Sequence, residues 1–181
     1  MIFRFNITLT EEEYLTFNCF HSFESAHGKK QIGKTRTLFT LVMAIIIALV
    51  VLINGWSTFS IAYAIILALL TAAHMLWYKK IMKHSIKAQI KRLKKIGKLP
   101  FDPMSTIEFY EDKMVETTDS KRIEQKYSTF ERICVVSGRF ILLYYSSVAA
   151  YILPFPQIKA QANLEKLLGF LSSKCKVIEY Y

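Results

Sequence analysis

The 181-residue sequence predicts an α+β membrane protein: a two-helix transmembrane hairpin carrying a small antiparallel β-sheet domain and a C-terminal helix that covers the sheet. Three observations predict it. Two apolar runs of about 20 residues lie almost back to back between residues 37 and 78. The excess positive charge sits on the two flanks of those runs. From Met104 onward the chain changes to short alternating segments broken by turn residues, then a helix with one leucine face.

The hairpin is the centre of the reading. Its first segment, 37–56, contains no charged side chain, and its second, 59–78, contains no Asp, Glu, Lys or Arg and a single histidine, His74. Each is roughly the length a helix needs to cross about 30 Å of hydrocarbon. Between them Asn54-Gly55-Trp56-Ser57-Thr58 has turn chemistry and an interfacial tryptophan. The alternative is a buried core hairpin of a soluble protein. It demands more remaining chain than this to wrap two helices that are apolar all round.

Charge orients the hairpin. The net charge is +10. Residues 1–28 set Arg4 against Glu11, Glu12, Glu13 and Glu24, and residues 99–181 balance basic and acidic side chains. Residues 29–98 hold 13 Lys and Arg and no acid. Lys29, Lys30, Lys34 and Arg36 precede the first run; Lys79, Lys80, Lys83, Lys87, Lys91, Arg92, Lys94, Lys95 and Lys98 follow the second. A two-helix hairpin brings both groups to one side, and the positive-inside rule makes that side cytoplasmic, with both termini there. Cys19, Cys134 and Cys175 have no metal-ligand spacing and in such a setting are reduced thiols. The first run starts too late, and is followed too soon by another, for a cleaved signal peptide.

Residues 1–28 form an N-terminal strand and helix. Phe3, Phe5 and Ile7 alternate with polar residues as in a half-buried strand, which needs a sheet to join. Thr10-Glu11-Glu12-Glu13 is a capping box. It opens a helix with an aromatic face of Tyr14, Phe17, Cys19 or Phe20, and Phe23, running to about Ala26 before His27-Gly28. Three consecutive carboxylates point in different directions, so capping is favoured over acid catalysis or metal binding.

Residues 79–98 continue the second span as a basic amphipathic helix. Met82, Ile86, Ile90 and Leu93 form its stripe, with Gly97 and Pro100 as its stop. The basic residues Lys79, Lys80, Lys83, Lys87, Lys91, Arg92, Lys94 and Lys95 are the candidate contacts for anionic lipid headgroups, each contributing on the order of 1 kcal/mol near the surface. The same residues serve equally well to fix topology and solvate a helix whose stripe packs on the C-terminal domain. Nucleic acid ranks below lipid as a partner, because anionic lipid is the nearer polyanion.

Residues 99–181 form the β domain. Strands are predicted around Ile107 and Phe109, over 114–118, 123–127, 133–136, 140–145 and 148–153, the last stopping at Pro154. Leu164, Leu167, Leu168 and Leu171 lie at i, i+3, i+4 and i+7 of a covering helix, and the tail from Cys175 adds one more strand. The aromatic segment 140–145 reads as sheet core, with a binding surface as the alternative.

Ile107-Glu108-Phe109-Tyr110-Glu111-Asp112, Tyr127 followed by Ile133, the 140–145 strand and above all Ala150-Tyr151-Ile152-Leu153-Pro154 before a short helix resemble the YcxB-like family of small bacterial membrane proteins. The resemblance implies a pleckstrin-homology-like cytoplasmic sheet domain after a two-helix membrane hairpin. It covers nearly the whole layout and supplies no catalytic residues. In the pattern around Tyr127, Thr129 and Phe130 replace an acidic and an aliphatic residue.

Chemistry is sparse. There is no phosphate-binding glycine loop, no histidine pair spaced for a metal and no hydrolase elbow around Ser137-Gly138. The expectation is therefore no catalytic residues, no metal, no cofactor and no enzyme. His74 is the one intramembrane polar candidate; lying a turn before Trp77, Tyr78 and Lys79, it reads as interfacial rather than as a proton relay. Small residues Ala62, Ala64, Ala68, Thr71, Ala72 and Ala73 allow close helix contact within the hairpin or between protomers. The predicted function is a binding or regulatory module on the cytoplasmic face of the bacterial cytoplasmic membrane, with membrane lipids, a second copy or a membrane protein as partner. The alternative is an accessory subunit of a membrane enzyme or transporter, in which His74 acts.

Overall fold

A computed structural model describes the whole chain, Met1–Tyr181. It is α+β, with two long apolar helices and small, mainly antiparallel sheets. The chain divides into two compact units, 1–17 with 96–181, and 18–95, so that residues 1–28 are shared between them.

The first unit holds two four-stranded sheets. Strand β1 (Phe3–Thr8) pairs antiparallel with β2 (Met104–Phe109), Phe3 facing Phe109 and Thr8 facing Met104. β3 (Lys113–Thr117) and β4 (Arg122–Lys126) complete the order β1-β2-β3-β4. The sheet that the lone N-terminal strand requires is therefore supplied from beyond residue 100, and both apolar helices are inserted in sequence between neighbouring strands. In the second sheet, β5 (Arg132–Val136), β6 (Phe140–Tyr144) and β7 (Ala150–Pro154) pair antiparallel, and β8 (Ile178–Tyr180) lies on β5 in the order β7-β6-β5-β8. The tail strand is parallel to its partner, a departure from an all-antiparallel domain. After β5 the chain has passed through β6, β7 and the helices that follow, which is the long crossover that parallel pairing needs.

Alternation builds the core. Phe5, Ile107, Phe109 and Met114 face inward from the first sheet and Ile133, Ile141, Leu143 and Leu153 from the second. Each full burial stabilises by roughly 1.5–3 kcal/mol. β6 departs from alternation: Phe140-Ile141-Leu142-Leu143-Tyr144 is buried at every position, so the aromatic segment is sheet core, while Tyr145 is 42% exposed. Pro154 closes β7 opposite Phe140 instead of lying beyond it. Directly after it comes α4 (Phe155–Gln161), then α5 (Leu164–Lys174) with Asn163 as its N-cap and Leu167 and Leu171 buried on the predicted face.

α4 also seals a sheet edge. Gln161 accepts from the Asn6 N–H (2.9 Å) and donates to the Asn6 carbonyl (2.9 Å); Gln157 does the same for Thr8 at 2.9 and 2.7 Å. Residues two apart on a strand lie about 6.6 Å apart and residues four apart on a helix about 6 Å. Two glutamines at i and i+4 therefore serve the outer edge of β1 as a neighbouring strand would, leaving no open template for another chain. The Tyr127 hydroxyl pins a further turn, donating to the carbonyls of Tyr110 (2.7 Å) and Lys113 (2.9 Å). Tyr127 itself opens a 3-10 turn and does not extend β4.

α1 (Glu11–Phe23) starts with the predicted box: the Thr10 N–H donates to Glu13 (2.8 Å) and the Glu13 N–H to the Thr10 hydroxyl (3.2 Å). It stops at Phe23, before Ala26, because Ser25 takes extended backbone and caps the next helix by accepting from the Gly28 N–H. In the second unit α2 (Ala26–Asn54) and α3 (Thr58–Lys95) follow as two long helices. Gly28 lies inside α2 rather than interrupting it. A Cβ there would stand 2.2 Å from the His21 carbonyl oxygen, so only glycine permits this approach. Gly55, with φ of +64°, makes the turn between the long helices.

Candidate functional site

α2 and α3 pack along a seam that the sequence pattern hides. In α2 the less exposed residues include Ile32, Arg36, Phe39, Met43, Ile46 and Val50, with Thr35, Ile47 and Val51 beside them; in α3 they include Ser60, Ala64, Leu67, Thr71, His74 and Tyr78. Both series step by four and three, the 3.5-residue repeat that keeps one face of a helix against its neighbour. Elsewhere both helices are apolar, so hydrophobicity alone cannot pick the seam. Of the small residues read as contact points, Ala64 and Thr71 lie on it and Ala73 is half-buried, while Ala62, Ala68 and Ala72 are exposed.

The outward surface is apolar and uncovered. Of the most apolar 18 residues, none is buried in α2 and 6% are buried in α3. Leu41, Ile45, Leu49 and Leu52 on α2, and Ile61, Ile65, Leu69 and Leu76 on α3, are each about half exposed or more. Both helices are long and apolar enough to cross a membrane. A continuous apolar surface of this extent needs a covering that water does not provide.

His74 lies inside the seam. Its ring stacks on Phe39 at 4.2 Å between centroids and meets Tyr78 edge-on at 5.6 Å. Arg36 reaches into the same layer. It donates to the Met75 carbonyl (3.2 Å) and lies over the Tyr78 ring at 5.7 Å, and its Nε is buried without a partner. Histidine, arginine and two aromatic rings thus close the charged end of the hairpin. Arg36 reads in the sequence as one more flanking charge; its place in the 3.5-residue series is the signal that sets it apart.

Beyond Tyr78, α3 continues without a break to Lys95. Lys79, Lys80, Lys83, Lys87, Lys91, Arg92, Lys94 and Lys95 are all exposed, whereas Met82, Ile86 and Leu93 are partly withdrawn and Ile90 is buried. Projected at about 100° per residue, the seven lysines fall within roughly 160°, with Arg92 outside that arc. The lysines present one cationic face, continuous with the axis of the second apolar run. No acidic side chain partners any of the lysines from 79 to 91.

No group of three or more His, Cys, Asp or Glu side chains is placed to hold a metal. The Cys134 thiol donates to Glu179 (3.3 Å), and burial pushes it up to about 12, so it stays protonated at neutral pH.

The strands from β3 to β7, α4 and most of α5 carry the comparison with known proteins. Residues 109–171 match the family model described as YcxB-like protein. This stretch is similar to the YcxB-like family. It covers about a third of the chain, from the end of β2 through the β7 segment ending Tyr151-Ile152-Leu153-Pro154 to the leucine face of α5. The match therefore begins inside a sheet whose edge strand, β1, lies outside the matched residues. No curated protein and no solved structure matches the chain.

Proposed function

We propose that this protein is an integral membrane module that displays its YcxB-like domain at the cytoplasmic face of the bacterial membrane, in a binding or regulatory role. The observation that carries this reading is the pair of helices whose outward faces are apolar and uncovered, with basic residues at the ends opposite the Gly55 turn. Lipid is the covering that such a surface accepts. α2 from Thr37 to Asn54 spans about 27 Å and α3 from Thr58 to Tyr78 about 31 Å, close to hydrocarbon thickness. Trp56 at the turn and Trp77 at the charged end fall where aromatic belts lie. Lys29, Lys30 and Lys34 on one helix and the lysine face of α3 on the other then meet the headgroups of one leaflet, the cytoplasmic one.

The strand order supports a pleckstrin-homology-like domain: a four-stranded sheet, a second sheet built first from β5, β6 and β7, and helices after it. In this reading the membrane hairpin is an insertion between the first two strands of that domain. A fragment started at Lys79 would lack β1 and expose the edge of β2, so the lipid contact is to be measured on the full chain.

Full-length protein in nanodiscs of mixed zwitterionic and anionic phospholipid, released and weighed by native mass spectrometry, tests the lysine face. Wild type should retain anionic lipid preferentially. Changing Lys83, Lys87, Lys91 and Lys95 together to Gln removes up to about 4 kcal/mol of attraction at low salt and should abolish the preference. An unchanged lipid count would refute the role of these lysines.

A further inference from the structure

The first unit holds an open cleft of about 250 Å³ between the inner face of the first sheet and the 145–152 segment that leads into β7. Its position follows from register. Phe5 on β1 faces Ile107 on β2, Ile107 faces Glu116 on β3, and Glu116 faces Ile123 on β4. Three members of this inward row are apolar, and the fourth is a carboxylate. Removed partly from water, a carboxylate in such a row costs free energy unless something compensates it. The Glu116 carboxylate makes no hydrogen bond or ion pair, and partial burial pushes it above the usual carboxylate range.

The surroundings define what is missing. The nearest cation, Lys121, is engaged elsewhere: its ammonium donates to Asp102 at 2.7 Å, an ion pair at the cavity rim. Glu116, Asp102 and Lys121 therefore leave one negative charge over, and it is the inner one. The walls combine aromatic rings with polar groups, Ser105 and the Asp102–Lys121 pair among them. Tyr14 lies against Phe101 with ring centroids 4.7 Å apart, and Tyr145 against Tyr151 at 5.1 Å. Both pairs line the cavity. Burial holds the Tyr151 phenol up to about 12, so it contributes a ring and a hydroxyl but no charge. One unpaired carboxylate at the base and tyrosine faces on the walls complement a cation with an apolar body; they disfavour an anion.

We infer that this cavity is a binding site for a small organic monocation, a protonated amine on an apolar or aromatic body, with Glu116 as its counter-ion. The site lies wholly in the first unit and does not depend on the membrane reading. A molecule of about ten heavy atoms fits the volume, and it gives a partly buried carboxylate that lacks a direct protein partner a charge-assisted hydrogen bond.

Fluorine NMR on full-length protein in nanodiscs tests the site. The probes are 2-(4-fluorophenyl)ethylammonium and the anion of matched shape, 3-(4-fluorophenyl)propionate. The cation should bind saturably and the propionate should not. Glu116→Gln, which preserves shape, should weaken the cation at least tenfold. Lys121→Met, which frees Asp102 and adds net negative charge at the rim, should strengthen it several-fold. These opposite signs separate a charge-selective site from general damage to the fold. Non-saturable signals equal in wild type and Glu116→Gln, or binding of propionate as tight as that of the cation, would overturn the assignment.

Discussion

Gln161 offers a quantitative test of how the N-terminal strand is held. Its amide makes two hydrogen bonds to Asn6, both 2.9 Å, and Gln157 two more to Thr8. A neutral hydrogen bond contributes about 0.5–1.5 kcal/mol net, and these are solvent-exposed, so Gln161→Ala should cost about 1–2 kcal/mol locally. Gln157 is a neighbour in the same clamp, since Gln161 also donates to its carbonyl (3.1 Å), and the double Ala variant should therefore depart from additivity. Gln161→Glu separates donor from acceptor. The carboxylate still accepts from the Asn6 N–H but opposes the Asn6 carbonyl, so the strand is weakened at neutral pH. Protonation restores a donor. The folded carboxyl is therefore raised above its unfolded value, and the stability it contributes is present at low pH and lost as pH rises through the folded value. Amide hydrogen exchange at Asn6 and Thr8 is the assay, with roughly tenfold faster exchange at Asn6 expected for each 1.4 kcal/mol lost in Gln161→Ala. Unchanged protection in Gln161→Ala, or a Gln161→Glu variant indifferent to pH, would refute the clamp.

Two further predictions concern the first unit. Tyr127→Phe leaves the carbonyls of Tyr110 and Lys113 without their shared donor and should destabilise that turn by about 1–2 kcal/mol, seen as faster exchange around residues 110–113 with the rest of the sheet unchanged. Glu116→Leu should stabilise the unit by on the order of 1 kcal/mol at neutral pH, from added apolar burial. Because the folded carboxyl of Glu116 is raised by burial, its stabilising protonated form is fully present below the unfolded value and is lost as pH rises through the folded one. The advantage of Leu in chemical denaturation should accordingly grow with pH over that interval, and an advantage independent of pH would contradict the burial of Glu116.

Local signals in the sequence announce the elements that local interactions make. Thr10 and Glu13 show a capping box in four residues, and the structure closes it with both reciprocal bonds. The two apolar runs show themselves by length alone, because helices apolar on every side need no phase to be recognised. Phase is what fails inside them: with Ala, Ile and Leu on all faces, the seam through Phe39, His74 and Tyr78 has no contrast to mark it. The partner of β1 is equally hidden, since Phe3 pairs with a residue across two long helices, and alternation states a face without naming a neighbour. Gln157 and Gln161 look like ordinary helix-surface residues until β1 lies beside them. Glu116 is legible only in part. Its place in an alternating segment puts it on the face of Met114, but the register that sets it between Ile107 and Ile123 comes from pairing. The parallel strand β8 likewise depends on a long-range pairing that the sequence does not order, whereas the stop of α1 at Phe23 rests on the local Ser25–Gly28 cap.

In the proposed topology the two long helices cross a membrane and return to one side. Replacing Cys19, the one cysteine that is not buried, by Ser provides a background for two reporters: Ser57→Cys in the turn between the helices and Ser120→Cys in the exposed β3–β4 turn. An impermeant maleimide applied to right-side-out and to inverted membrane vesicles from an expressing bacterium reads the side of each. That topology gives labelling of Ser57→Cys in right-side-out vesicles only and of Ser120→Cys in inverted vesicles only. Labelling of both reporters from the same side, or release of the protein from the vesicles by alkaline carbonate, would contradict it.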